Sequence, residues 1–478
     1  MLDGSLSSDI VEVLEKHPFP LIAEVAGSLG IPAYVVGGFV RDVFLRRPSK
    51  DIDIVTVGEG SGIALAQGVA NRLGGRLSVF RTFGTAQVKT REVEIEFVGA
   101  RRESYNRDSR KPVVENGSLE DDLGRRDFTI NAMAVSLNKD DFGDLMDPFN
   151  GMDDLDGLTL RTPRDADVTF DDDPLRMLRA VRFASQLGFF IHPDTFEAIV
   201  RNVHRLDIIS QERVQEELNK IVLSPRPSIG FDLLDKTGLL ELIIPELSAL
   251  KGVETRVGIG HKDNFAHTLL VLDKVARVSD NLWLRWAALL HDIAKPLVKR
   301  WDGRMGWTFH NHEFQGQRMA EEIFRRLRLP LDAKLRYVQK LIGLHMRPIN
   351  LSDEEITDSA LRRLLFDAGE DLEDLFVLCE ADITSKNPVR ARRFLENYRT
   401  VRRKLGLIEE ADRIRNFQPP VSGAEIMELF GLAPSPVVGR LKTALKDAVL
   451  DGKIPNEREA AREFLTEVAR ELEVEKAK

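Results

Sequence analysis

Val35-Val36-Gly37-Gly38-Phe39-Val40-Arg41-Asp42 and, shortly after, Lys50-Asp51-Ile52-Asp53-Ile54-Val55-Thr56-Val57 are the two stretches on which the reading of this chain turns. Apolar Ile52, Ile54 and Val55 mark residues 51 to 57 as a short strand, whose side chains alternate between faces. Asp51 and Asp53 therefore point to one side, close enough to share hard divalent cations. Mg²⁺ favours such a site, taking one or two carboxylates together with substrate phosphates. Two ions held this way can activate an attacking hydroxyl and stabilise a departing pyrophosphate. The glycine pair follows the apolar run Ala33 to Val36 and precedes an Arg-containing segment that reads as a helix. A strand–Gly-Gly–helix turn brings backbone N–H groups up to a triphosphate with no Cβ in the way. Taken alone, Gly37-Gly38 is an ordinary turn and Asp-x-Asp an ordinary polar strand edge. In strand–turn–helix–strand order they read as one nucleotide-handling unit.

Size and composition narrow the rest. A chain of 478 residues with 43% hydrophobic content supports roughly three or four globular domains. Its single cysteine, Cys379, excludes a disulfide framework and fits a reducing, cytoplasmic setting. No apolar run reaches the roughly 20 residues of a membrane span, and no signal peptide is evident, so no membrane partner is expected. The net charge of −9 argues against a uniformly nucleic-acid-coating protein but leaves room for a local RNA site. Lys386, Arg390, Arg392, Arg393, Arg399, Arg402, Arg403, Lys404, Arg413 and Arg415 form such a basic stretch, readable as a phosphate-binding face or a solvated helix.

Residues 8 to 29 read as one amphipathic helix, and 30 to about 150 as mixed α/β. Glu92-Val93-Glu94-Ile95-Glu96-Phe97 alternates like a strand, with Ala86-Gln87-Val88-Lys89 as its hairpin partner. The polar segment Arg101 to Glu120 reads as a flexible loop. Arg125-Arg126-Asp127-Phe128-Thr129-Ile130-Asn131-Ala132 follows, read as the start of a helix whose arginines meet phosphate or ribose while Asp127 and Asn131 orient sugar hydroxyls. In Asp172-Asp173-Pro174-Leu175-Arg176-Met177-Leu178-Arg179-Ala180-Val181-Arg182-Phe183, Pro174 suits a first helical turn and Arg176, Arg179 and Arg182 recur every third residue. A carboxylate accepts from the exocyclic amino group of cytosine or adenine, and a neighbouring Arg donates to the ring acceptors. Asp173 with Arg176 is the candidate base-reading pair, leaving Arg179 and Arg182 for phosphates.

Taken in order, these segments resemble the successive motifs of class II tRNA nucleotidyltransferases, the CCA-adding enzymes, over roughly residues 30 to 225. Gly151-Met152-Asp153-Asp154-Leu155 is similar to the family's hinge, and Glu212-Arg213-Val214-Gln215-Glu216-Glu217-Leu218 to its neck helix. The resemblance implies an α+β protein: a polymerase β-like nucleotidyltransferase head followed by an all-α neck, HD body and tail. It implies Mg²⁺-dependent, template-independent addition of CTP and ATP to the tRNA 3′ end. Asp51 and Asp53 would then be catalytic, with Gly37, Gly38, Arg41, Arg126, Asp127, Asp173, Arg176, Arg179 and Arg182 binding nucleotide. One position departs from the pattern, since Asp172 stands where the family usually has Glu.

A second constellation lies further on. His267, His291-Asp292 and Asp382, with His312 and His345 nearby in sequence, combine imidazole and carboxylate in the way that suits transition metals. Such a centre can activate water for phosphate-ester hydrolysis. The order His267…His291-Asp292…Asp382 resembles the HD phosphohydrolase domain carried by a subset of bacterial CCA-adding enzymes, with His312 and His345 completing a wider site.

The sequence thus divides into an N-terminal helix (1–29), head (30–154), neck (155–225), connector (226–259), HD domain (260–385) and a tRNA-binding tail (386–478). Three other readings compete with CCA addition. One is a poly(A) polymerase, or an enzyme adding only CC or only A. The second is an HD nucleotide phosphohydrolase with a merely nucleotide-binding head, and the third a non-enzymatic RNA-binding module. Retention of the 101–120 segment favours an enzyme that switches from C to A.

Overall fold

The computed structural model describes residues 5–49, 51–81, 84–106, 109–256, 259–260, 263–351, 357–384, 392, 396, 398–407 and 419–471. Two compact units divide at Ile243/Ile244. Among the described residues no helix is long and apolar enough to cross a membrane. Of the basic stretch, Lys386, Arg390, Arg393, Arg413 and Arg415 lie outside the described residues.

The first unit is organised by a seven-stranded sheet. Its strands are β1 (Ala33–Val36), β2 (Asp51–Thr56), β3 (Arg76–Phe80), β4 (Thr85–Lys89), β5 (Glu94–Gly99), β8 (Ala134–Ser136) and β9 (Leu145–Met146), in the order β3-β4-β5-β2-β1-β8-β9. β6 (Arg101–Asn106) and β7 (Ser109–Asn116) form a separate antiparallel hairpin. The segment expected as a loop is thus a hairpin, because its ends pair from Arg101↔Asn116 inward. β2 pairs antiparallel with β1 and parallel with β5.

The two faces of this sheet differ because each strand alternates. Val35, Ile52, Ile54, Ile95, Phe97 and Val88 turn to one face and are buried under helices Ser5–Leu14, Phe19–Leu29 and Ser61–Leu73. The N-terminal segment is therefore two helices, with Pro18 at the break between them. The opposite face carries Val36, Val55 and Ala134 in a small cluster with Leu123 and Ala132. Beyond that cluster, on the same face, stand Asp53 and Asp51. One face supplies the core and the other the chemistry.

The segment after Arg126 makes only a 3-10 turn, Thr129–Asn131, before entering β8. The helix expected there does not form, since Ala134–Ser136 is taken into the sheet beside β1. Helices Leu175–Leu187, Gln211–Val222 and Pro227–Lys236 follow, packed through Leu178, Val181, Val214, Leu218, Ile221 and Phe231.

The second unit is helical apart from two short hairpins, Thr255–Arg256 with Ile259–Gly260 and Arg300–Asp302 with Gly306–Thr308. Helices Asn264–Ala276, Leu282–Leu290, His312–Arg326, Ala333–Leu344, Asp358–Ala368 and Leu372–Asp382 make its main body. Asp263 caps the first of these and Asn281 the second. Three further helices, Gly423–Phe430, Pro436–Leu450 and Arg458–Glu471, enclose their own core of Ile426, Phe430, Leu441, Leu445 and Leu465.

Candidate active site and metal centre

In the first unit a cleft of about 510 Å³ gathers Gly38, Arg41, Asp51, Asp53, Arg126, Asp127, Asp173, Arg176, Arg179 and Arg182. Every head residue expected at the site therefore lines this one cleft except Gly37, which sits one residue before it. Gly37 adopts φ +73°, and a Cβ there would lie 2.7 Å from Arg126 Nη1. Only glycine meets both demands.

Strand register adds a carboxylate that sequence reasoning missed. Glu96 is the β5 partner of Asp53, and Glu94 that of Asp51. In a parallel pair, register partners share a face, so Glu96 stands beside Asp53 on the cleft side. Burial, and to a lesser degree the Asp51 charge, raises the Asp53 carboxyl against the lowering influence of Arg126. Burial and the Asp53 charge raise Glu96 in turn. Crowded carboxylates of this kind suit a site that gathers cations. The signal was in the sequence: the alternation Glu92, Glu94, Glu96 fixes which residues share a face, but not which strand lies beside it.

The arginines are held by one connected network. Arg41 Nη1 donates to Asn131 Oδ1 at 2.7 Å, and Asn131 Nδ2 donates to Asp127 Oδ1 at 2.9 Å. Arg179 Nε donates to Asp127 Oδ2 at 2.7 Å. Burial alone would push Asp127 up, but the Arg179 guanidinium, the Asn131 hydrogen bond and the Arg176 charge together override it and hold the carboxyl down to about 2. Arg125 and Arg126 share the buried Asp122 at 2.6 and 3.1 Å, three and four residues back. Arg182 Nε lies 3.1 Å from Glu217 Oε2.

Phe183 stands at the centre of this group. Arg182, Arg41 and Arg179 approach its ring at 4.3, 5.1 and 5.4 Å, and Phe128 meets it edge-on at 5.8 Å. Arg176 is placed differently: Nη2 donates to the Arg125 carbonyl at 2.6 Å and Nη1 to the Thr169 carbonyl at 3.2 Å. It ties the arginine pair to the end of the preceding helix. Asp173 Oδ1 accepts from Leu175 N–H at 3.2 Å at the mouth of the next helix.

In the second unit the structure brings together all six metal-ligand candidates. Two overlapping triads, His267/His291/Asp292 and Asp292/His312/His345, each place their ligand atoms within 4.8 Å of one another. Asp382 Oδ1 lies 2.8 Å from His267 Nε2 and 3.6 Å from His291 Nε2. The His-Asp pair sits in the turn just after helix Leu282–Leu290 rather than within the helix.

Backbone carbonyls orient three of these rings. His291, His312 and His345 each turn Nδ1 to the carbonyl three residues back, at 2.8, 2.8 and 2.7 Å. A carbonyl only accepts, so Nδ1 carries the proton and Nε2 presents a lone pair inward. His312 Nε2 and His345 Nε2 then face each other at 3.2 Å, and buried His291 Nε2 has no hydrogen bond of good geometry. Facing lone pairs and an orphaned buried nitrogen are the signature of a cation site, so the residues fit a divalent metal. Burial alone would lower His291, but the Asp292 and Asp382 carboxylates raise it to about 10, a preference for positive charge that a bound cation would satisfy in place of a proton on Nε2; burial and the neighbouring His291 lower His345 to about 4. The cluster draws positive charge to its His291 side.

Three stretches match known domain families: residues 33–161 the poly A polymerase head domain, 188–251 the probable RNA- and SrmB-binding site of polymerase A, and 264–387 the HD domain. An A-adding tRNA nucleotidyltransferase of Deinococcus radiodurans is 33% identical, covering 90% of this chain and 94% of that protein. The chain belongs to the tRNA nucleotidyltransferase family. A CC-adding tRNA nucleotidyltransferase of Thermus thermophilus is 32% identical over 91% of this chain and 93% of its own length. A crystal structure of the Bacillus stearothermophilus CCA-adding enzyme in complex with CTP superposes with a TM-score of 0.66 at 27% identity, covering 96% of this chain and 99% of that one.

Short motifs expose the arginines and the carboxylate pair. Phe183, Asp122 and Glu217 escape motif reading for a different reason. Their side chains hold other side chains, and a lone phenylalanine on a helix looks like any core residue.

Proposed function

We propose that this chain completes the 3′ end of tRNA, adding CCA from CTP and ATP without a template. The observation that carries this reading is the shared face of Asp51, Asp53 and Glu96, opening on a cleft walled by Arg41, Arg126, Arg179 and Arg182. Asp51 and Asp53 would hold Mg²⁺, which when bound acidifies the tRNA hydroxyl and neutralises charge on the departing pyrophosphate. The arginines, held apart by Asp127, Asn131 and Phe183, offer a pre-formed seat for the triphosphate, so little ordering remains to be done on binding. Asp173 accepts from the amino group common to cytosine and adenine. Arg176 gives two of its five N–H groups to backbone carbonyls and directs the rest at the base. The 419–471 helices and the described basic residues Arg392, Arg399, Arg402, Arg403 and Lys404 form a tail that docks tRNA. The setting is the cytoplasm, as the buried free thiol of Cys379 and a tRNA substrate suggest.

The second unit is, on this reading, a metal-dependent phosphohydrolase. His267, His291, Asp292, His312, His345 and Asp382 would hold transition-metal ions, which when bound supply a hydroxide nucleophile at neutral pH. Lys295, 2.5 Å from Asp292, is placed to receive the charge of a phosphate.

A second reading, addition of A alone, draws support from the A-adding relative of Deinococcus radiodurans. One experiment separates the two. Purified protein is given a tRNA lacking CCA and a tRNA ending in CC, with CTP and ATP singly and together. Full CCA on the first substrate upholds the proposal. Extension of only the CC-ended substrate, or long A tracts on unrelated RNA, overturns it.

A further inference from the structure

Beside the metal centre of the second unit lies an ordered series of cation–aromatic pairs. Lys295, in ion contact with Asp292, has its Nζ 5.6 Å from the centre of the Phe309 ring. One helical turn on, Lys299 Nζ lies 5.1 Å from the Trp307 ring. Arg256, on the hairpin Thr255–Arg256/Ile259–Gly260, lies 5.4 Å from the Trp301 ring. Trp301 and Trp307 are register partners across the Arg300–Asp302/Gly306–Thr308 hairpin, with centroids 5.3 Å apart. Phe309 also connects directly to the metal ligands, because its carbonyl accepts from His312 Nδ1 at 2.8 Å.

The residues run in one direction. Starting at Asp292, the order is Lys295 with Phe309, Lys299 with Trp307, then Arg256 with Trp301. Each step pairs a cation with an aromatic side chain. A core would not be built this way, since burial of three cations beside three rings costs solvation that simple apolar packing avoids. Trp301 and Trp307 stay half-buried and Arg256 is exposed. Two large apolar side chains close by in sequence are exposed as well, Leu297 on the helix before the hairpin and Met305 in its turn, at 70% and 69%. Alternating cations and partly open rings are how proteins hold single-stranded nucleic acid, with phosphates on the cations and bases against the rings.

We infer that this series is the substrate track of the metal centre, seating a single-stranded RNA end of about three nucleotides whose terminal phosphate ester reaches Asp292 and Lys295. The inference rests on the reading of the centre as a phosphohydrolase and adds the residues that seat its substrate beyond the metal ligands. A small phosphate ester would meet only the metal ligands and Lys295. An RNA end would also meet Trp307, Lys299, Trp301 and Arg256. RNA is the class of molecule on which the family acts, and stacking is indifferent to base identity.

The test uses the full chain loaded with metal and two probes, p-nitrophenyl phosphate and a tetraribonucleotide carrying a 3′-phosphate. The readout is the ratio of kcat/KM for the tetranucleotide to that for p-nitrophenyl phosphate. Trp301→Leu and Trp307→Leu each lower this ratio about tenfold. Arg256→Gln, a change at an exposed residue that leaves folding intact, lowers it about threefold and flattens its dependence on salt. A ratio unchanged in all three variants overturns the track. Should neither probe be hydrolysed, the phosphohydrolase reading fails by itself, and fluorescence then decides the track. Trp286 is buried and, like Trp283, packs on Phe324 away from the hairpin, so quenching by the tetranucleotide reports Trp301 and Trp307. Quenching that disappears in Trp301→Leu upholds the track; no quenching in the wild-type chain overturns it.

Discussion

The head cleft and the second unit's metal centre are both built from carboxylates meant for cations, yet they are opposite constructions. In the head, Asp51 and Glu96 are exposed and Asp53 is half-buried, on a central strand of the sheet whose face opens on a cleft of about 510 Å³. In the second unit, His291, Asp292 and His345 are 0–1% exposed, and three of the rings are aimed by backbone carbonyls. An exposed carboxylate pair binds a hard ion weakly until substrate phosphates complete its coordination. A buried, pre-oriented imidazole set instead needs its ion to relieve facing lone pairs, whatever the substrate. On the proposed reading, the head's metal would arrive with the nucleotide, whereas the second centre's metal would belong to the folded protein.

The sharpest break of this contrast is Asp53→Asn. It removes a ligand on which transition-state charge stabilisation depends, so tRNA extension should fall by on the order of 10³-fold or more. Metal retained after gel filtration, measured by plasma mass spectrometry, should not change, because it belongs to the other centre. Loss of retained metal in this variant would show that the head too holds its ion tightly, and the contrast would be gone.

The mirror experiment is Asp292→Ala. Asp292 belongs to both triads, so its removal should strip the retained metal from the second unit, whereas His345→Ala should strip only the share held by the second triad. Extension of tRNA should stay within about twofold, as expected for a change in a unit that supplies no residue to the head cleft. Full metal occupancy in the Asp292 variant would mean that the two triads do not share a ligand in solution. In the expected, metal-stripped variant, hydrolysis of p-nitrophenyl phosphate is lost with the metal.

How far the sequence carries one depends on what a residue does. Asp51, Asp53, Arg126 and Arg179 announce themselves, since their chemistry and spacing are local and their strand or helix is short enough to infer. His312 and His345 read as weaker candidates because nothing local links them to His291, and only the packing of their two helices brings Nε2 to Nε2 at 3.2 Å. Glu96 was invisible as a ligand because strand order, here β5 beside β2, is a property of the whole sheet. The 3-10 turn at Thr129–Asn131 was misread for the same reason: an apolar pattern gives a local preference, and pairing with a distant strand overrides it. The 101–116 hairpin was misread on composition, since Arg101–Asn106 and Ser109–Asn116 pair with each other although their sequence is polar.

Phe183 gives the smallest effect and the finest probe of the head's construction. If the cleft is a pre-formed seat, the residue that spaces its arginines should matter for nucleotide affinity and little for chemistry. Replacing Phe183 with Leu keeps an apolar side chain against Phe128, so the helix should still pack. It removes three cation–ring contacts, each worth about 0.5–1 kcal/mol where partly exposed. Summed to about 1.5–3 kcal/mol, that predicts a rise of between about tenfold and about a hundredfold in KM for both CTP and ATP, with kcat within about threefold. The base choice should not move, because Asp173 and Arg176 do not touch the ring, and Phe183→Tyr should restore KM. A variant that instead loses kcat and KM together, or loses C and A unequally, would place Phe183 against the reacting groups or the base. The arginines would then be held by Asp127, Asn131 and Glu217 alone, through charge rather than through the ring they share.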